Sequence, residues 1–149
     1  MRVQGLKAWY REQAGSALVE TALVLPLLLC LAFGVIAVGR VVQAQMGVSA
    51  VAREAARSAA LSQTAEGAAS RGLAAGQAVA VGYGLTNGSL ALSVEPGAFE
   101  RGGQVRASAR YDLSLADLPL LGLFHAQVAS THVERIDLYR SRWQTGGAP

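Results

Sequence analysis

From Thr21 to Gly39 there is no charged side chain, and the apolar run that contains this stretch extends from Ser16 to Gly39, 24 residues in all. About 20 such residues cross the hydrocarbon core of a bilayer as a helix. Lipid offers no hydrogen bonds to bare backbone, so a single unpaired segment of this kind is restricted to a helix. Leu27-Leu28-Leu29 forms its centre, and Pro26 is expected to kink or loosen it locally. The fold must therefore be organised around one greasy rod near the N-terminus. Glu20 stands at the mouth of that rod, where an ionised group is expensive and is a functional suspect by default.

Four readings of this segment compete. One is a plain signal anchor. Another is a secretory signal peptide cut near Ala37-Val38-Gly39, but its apolar region would far exceed the usual 7–15 residues and would carry Glu20. A lipoprotein signal ending at Cys30 would place bulky Leu29 before the cysteine and leave much apolar chain after it. The fourth is a leader removed on the cytoplasmic side, leaving the helix in the product. Residues 1–15 suit that reading, being short, polar and basic, with Arg2, Lys7 and Arg11 against Glu12.

The basic balance of the whole chain is largely that leader. Thirteen Lys and Arg oppose ten Asp and Glu overall, and ten oppose nine once residues 1–15 are set aside. Nothing here resembles the basic stripe of a nucleic-acid binder. Arg40, Arg53 and Arg57 follow the span, which nearly balances the positive-inside rule. An inside N-terminus is expected because most of the chain lies after the helix and reads as an extracytoplasmic domain. The expected location is the cytoplasmic (inner) membrane, crossed once. The single cysteine, Cys30, excludes an intrachain disulfide.

Helical character continues past the span. Val41, Ala44, Val48, Val51 and Ala55 recur at 3-4-3-4 spacing, a narrow coiled-coil-like seam. It suits a polymerisation stalk over residues 40–61, and equally an amphipathic helix packing on its own domain. Glu54 and Arg57, three apart and off the seam, can pair weakly. A helix from Ser16 to Leu61 would be about 69 Å long.

Ser62-Gln63-Thr64 reads as a break, with Thr64 a candidate N-cap, and a second helix is expected from Ala65 to about Val81 with Leu73, Gly76, Val79 and Ala80 on one side. Its glycines weaken it, and the Ala/Gly bias of residues 65–84 fits either close helix packing or a partly ordered linker. Asn87-Gly88 is a turn signal, followed by alternation at Leu90, Leu92 and Val94. After Pro96-Gly97 and Arg101-Gly102-Gly103 comes the clearest strand. Val105, Ala107, Ala109, Tyr111, Leu113 and Leu115 face one way and polar residues the other, as in an antiparallel sheet covered on one side. A third strand is expected from about Gln127 to Ile136. Leu118–Phe124 is apolar enough to be a contact patch or to tuck under the sheet, and the tail, 141–149, is expected to fray. The expected fold is α+β: a long N-terminal helix, transmembrane over 16–39, then a head over 62–140 with a short helix and a three-stranded antiparallel sheet.

The run Gly15-Ser-Ala-Leu-Val-Glu20-Thr-Ala-Leu-Val-Leu-Pro26 resembles the start of TadE-like proteins, the pseudopilins or minor pilins of the Tad (Flp, type IVc) pilus system. Val48-Ser-Ala-Val-Ala-Arg53-Glu54-Ala-Ala-Arg57 is similar to the block after the membrane helix in that family, and Thr131–Arg140 to its last strand and tail. The resemblance implies cleavage between Gly15 and Ser16 by a prepilin peptidase, which makes Glu20 the fifth residue of the mature chain. It also implies association with the major Flp pilin, other TadE/TadG-like subunits and the inner-membrane pilus platform. The family often has an aromatic residue after the glutamate, where this chain has Thr21.

The spacing has its own physical logic. Cleavage would free an α-amine at Ser16, and residues i and i+4 share a helix face. Glu20 would stand one turn above a new positive charge, its own or a neighbour's, and pairing would cancel two charges at the edge of hydrocarbon. A carboxylate near a helix N-terminus is also favoured by the helix dipole. The alternative is a carboxylate that merely snorkels to the interface.

Chemistry-bearing residues are sparse. His125 and His132 do not form a pair on one helix turn, no cysteine accompanies them outside the span, and Asp117 and Glu134 do not converge on them by spacing. No serine sits in an elbow motif and no glycine run forms a phosphate loop. The expectation is a non-enzymatic protein without cofactor or metal. The rival to the pilus reading is an uncleaved, single-pass membrane-anchored binding module, such as an adhesin or envelope sensor.

Overall fold

The computed structural model describes residues 4–85, 89–116 and 125–138. Its first element, α1 (Gln4–Ala60), is an unbroken 57-residue helix, about 86 Å long at 1.5 Å per residue. It begins some three turns before the start expected from the apolar run. The residues between Leu6 and Ala14 are mostly good helix formers, and Gly5 and Gly15 are tolerated singly. Pro26 lies inside the helix, which continues through it. Its missing N–H leaves the Ala22 carbonyl without its usual partner. Thr21 instead donates its Oγ1 hydroxyl to the Ala17 carbonyl at 2.8 Å, so its polar atom is satisfied on the helix itself.

A short break at Ser62-Gln63-Thr64 leads into α2 (Ala65–Gly82). The Thr64 hydroxyl accepts from the Gly67 N–H at 3.1 Å, which caps the helix as its sequence predicts. Buried Ser62 holds the turn from within, donating to the Gly67 carbonyl at 3.1 Å. At the far end Gly84 takes φ +71°, with Gly84 N–H on Val81 O and Leu85 N–H on Ala80 O. This is a Schellman ending, and Leu85 and Ala80 then meet in the core.

Three strands complete the head: β1 (Leu90–Glu95), β2 (Gln104–Ser114) and β3 (His125–Arg135). They form an antiparallel meander in the order β1-β2-β3, with Leu92 opposite Ala109 and Ala109 opposite Ser130. Glycines at positive φ, Gly97 and Gly102, turn the chain between β1 and β2. The outer face is polar: Ser108 and Thr131 hydroxyls lie 3.1 Å apart and Gln127 donates to Asp112 at 2.8 Å. The inner face of β2, from Val105 to Tyr111, is buried beneath the helices, as its alternation predicts.

The core is built of small residues. Val48, Val51, Ala52, Ala80, Leu85, Ala109, Tyr111 and Val128 form its main cluster. Ala59, Ala60, Ala68, Val105 and Ile136 extend it toward the far end of the head. Here α1 is covered on two sides, by α2 and by the sheet. This explains a second buried row, Ala52, Ala56 and Ala60, beside the seam expected from the sequence. The glycines of α2 allow close approach. A Cβ on Gly72 would meet the Ala55 carbonyl at 2.9 Å, and one on Gly76 would meet Leu92 Cδ2 at 2.5 Å. The buried side of α2 is therefore Ala68, Gly72, Gly76 and Ala80, whereas Leu73 and Val79 flank it half-buried. The Ala/Gly bias of this segment is that of a close-packed helix.

Candidate functional site: the membrane-proximal half of the long helix

Among the described residues, the part of α1 from Ala17 to Ala32 is left uncovered by the head. Every described residue from Ala17 to Ala32 is exposed, including Leu18, Leu23, Leu27 and Leu31 at 68–73%. An apolar surface this large and continuous has no place in water. It is long and apolar enough to cross a membrane.

Gly15 and Ser16 lie within α1, and Glu20 follows one turn above Ser16 on an exposed surface. The free cysteine, Cys30, is also exposed on the span. No other charged residue occurs until Arg40, at the upper limit of the span, where contact with the head begins. The five seam residues stand above it. Val48, Val51 and Ala55 are fully buried, Ala44 nearly so, and Val41 half-buried at the margin of the same cluster. All five turn toward the protein's own head. The outward surface of this upper half carries Val42, Met46, Arg53 and Arg57 instead.

Residues 15–57 match the family model of the TadE-like proteins. This segment is similar to the TadE-like proteins. The matched region opens on Gly15, takes in Glu20 and the whole apolar span, and closes at Arg57, one turn before α1 ends. The TadE-like region is thus a single helical rod, and α2 and the sheet lie beyond it. Comparison with curated proteins and with solved structures gave no match.

The remaining polar residues are scattered over the head. His132 Nε2 lies 3.4 Å from Glu134 Oε2, as expected for residues two apart on one face of a strand, and His125 is exposed at the start of β3. Glu54 and Arg57 make no ion pair with each other. Among the described residues no group of three His, Cys, Asp or Glu is placed to hold a metal ion. The Asn87-Gly88 turn, the Leu118–Phe124 patch, Asp117 and the tail residues Tyr139 and Trp143 lie outside the described residues.

One feature of the head has no counterpart in the sequence reading. At the junction with the span, a cleft of about 460 Å³ lies between α1, the end of α2 and the end of β2. Arg40, Gln43, Tyr83, Tyr111 and Ser114 line it. These residues come from segments some 30 to 40 positions apart, so no local pattern announces them.

Proposed function

We propose that this protein is a minor pilin or pseudopilin of the Tad (Flp) pilus system, made as a precursor and trimmed after Gly15 by a prepilin peptidase. One observation carries the reading: the TadE-like match begins at Gly15 and runs through Glu20 and the entire span. The exposed apolar half of α1 supports it, since this rod needs lipid or neighbouring helices around it.

In this reading the span anchors the chain in the cytoplasmic membrane with its N-terminus inside and its head outside. Trimming exposes the Ser16 amine, and Glu20 pairs with that amine in its own or an adjacent subunit as helices bundle. The role is structural, with no catalytic step. The partners are the prepilin peptidase, the major Flp pilin, other TadE/TadG-like subunits and the inner-membrane platform. The seam is spent on the protein's own head, so contacts between subunits fall on residues 16–39 and on the outward stripe at Val42 and Met46.

N-terminal mapping of the membrane-extracted protein, with and without the peptidase, tests the reading. A chain starting at Ser16 only when the peptidase is present is the expected result. A chain retaining residues 1–15 in both cases overturns it and favours an uncleaved anchor.

A further inference from the structure

We infer that the cleft at the base of the head binds the phosphodiester headgroup of an anionic phospholipid, in the leaflet from which the head emerges. This rests on the membrane-spanning reading of α1, but not on cleavage, pilus assembly or orientation.

Depth is the first argument. The uncharged stretch Thr21–Gly39 is 19 residues, about 28 Å as a helix, close to the roughly 30 Å of a hydrocarbon core. Arg40 therefore emerges at its edge. Gln43 and Ala44, also on the cleft wall, stand about 6 and 7.5 Å above Gly39. The headgroup layer on each side is about 5–7 Å thick. The α1 wall of the cleft spans that layer, and Tyr83 and Leu85 stand above it beside Gly47.

Chemistry is the second. Arg40 brings a guanidinium, Gln43 an amide, and Tyr83, Tyr111 and Ser114 bring hydroxyls, while no carboxylate is among the described residues that line the cleft. A guanidinium has five donors in a planar fork that suits phosphate oxygens. Arg40 is already engaged by another group of the protein, which helps to fix its position, and a fork of five donors can serve two acceptors. The Tyr83 side, 47% exposed, matches the preference of tyrosine for the membrane interface. The volume is within the range of small-ligand sites. Leu85 and Leu113 add apolar surface to the wall, with Leu85 beside Gly47 on the side of the head core.

The test uses the full-length chain in a mild detergent, mixed with equal amounts of phosphatidylglycerol and phosphatidylcholine. Lipid adducts are counted by native mass spectrometry. Phosphatidylglycerol is expected to be retained about fivefold over phosphatidylcholine, the scale of one basic side chain acting on an anionic surface. Arg40→Gln should abolish that preference, and Arg40→Lys should keep part of it. Gln43→Glu, which places a carboxylate in the cleft, should abolish it with the helical circular dichroism unchanged. Equal retention of both lipids, or an unchanged preference in Arg40→Gln, overturns the inference. Displacement of the lipid by equimolar glycerol 3-phosphate also overturns it, since the cleft would then be a site for soluble phosphate esters. Carbonate-resistant flotation of the same protein with liposomes separates the two failures. A chain that floats without headgroup preference refutes the cleft alone, and one that does not float refutes the membrane span and the cleft with it.

Discussion

Glu20 and Arg40 stand twenty residues apart on one unbroken helix, with no charged residue between them. At 1.5 Å per residue their Cα atoms are separated by about 30 Å along the axis, which is the thickness of a hydrocarbon core. An acid and a base thus bracket the span, and each lies where its charge can reach water or a counter-charge. Neither has an independent reason to sit at that distance in a soluble helix.

The two brackets are not equivalent. Arg40 lies where the head begins, while Glu20 is exposed and the described helix from Ala17 to Ala32 around it is exposed too. Glu20→Ala should leave the protein in the membrane fraction, because it removes a charge from the edge of a segment that is already apolar enough. Its incorporation into sheared pilus material should fall at least tenfold if a pair with a Ser16 amine guides assembly. Quantitative immunoblotting of the membrane and sheared fractions checks both. Equal incorporation of mutant and wild type would show that the carboxylate only snorkels.

The glycines of α2 give opposite predictions by position. Gly72→Ala places a methyl 2.9 Å from the Ala55 carbonyl, an atom of the helix backbone that cannot rotate away. Overpacking of this kind costs about 1–3 kcal/mol, more than the gain of up to about 1 kcal/mol from helix propensity. The full chain in detergent should lose several degrees in Tm. Gly82→Ala meets nothing within 4 Å and should leave Tm unchanged or raise it slightly. A stabilising Gly72→Ala would mean that the two helices are further apart than described.

Thr64 has its effect through a single bond, from the Gly67 N–H to its hydroxyl at 3.1 Å. Thr64→Ala removes a partner from one of the helix's orphan donors and should cost about 1 kcal/mol. Thr64→Ser retains the oxygen and should lose much less. Denaturant titration of the helical signal distinguishes the two, and equal loss in both would assign the effect to the methyl group instead.

Much of this architecture was legible because the relevant signals are local. The span is a matter of composition, the Thr64 cap of one residue before a helix, and the β2 face of strict alternation from Val105 to Tyr111. The second buried row, Ala52, Ala56 and Ala60, was not legible. Alanine is at home on exposed and buried helix faces alike, so only the arrival of a second layer reveals it. Gly72 escaped for a related reason, since a glycine needed for close approach looks in sequence like a glycine that merely weakens a helix. On β3 the inward residues include Ser130, His132 and Glu134, while Val133 faces out at 41% exposure. The inward residues at this end of the edge strand stay half-buried, so polar side chains are tolerated there and the polar/apolar alternation is lost. For the candidate site, Glu20 stands out as an acid at the mouth of an uncharged span, whereas Gly15 and Ser16 are singled out by the likeness to TadE-like proteins. The cleft does not, because Arg40, Tyr83 and Tyr111 meet only through the Gly84 turn and the sheet register.

Span and head share one helix but separate physical requirements, and this can be tested at Val48. Its side chain is fully buried between the helices and the sheet. Val48→Asp would bury a carboxylate with no partner, a change that costs several kcal/mol or drives the group to protonate or the head to open. The segment Thr21–Gly39 is untouched, so insertion into membranes should persist. Limited proteolysis of membranes carrying the variant should therefore digest the head while a fragment containing the span survives. Met46→Asp, two residues nearer the span on the exposed side at 63% accessibility, should change stability by no more than about 0.5 kcal/mol and leave the head resistant. Loss of the V48D protein from the membrane as well would mean that a folded head is needed to hold the helix in place. The rod would then be no independent anchor.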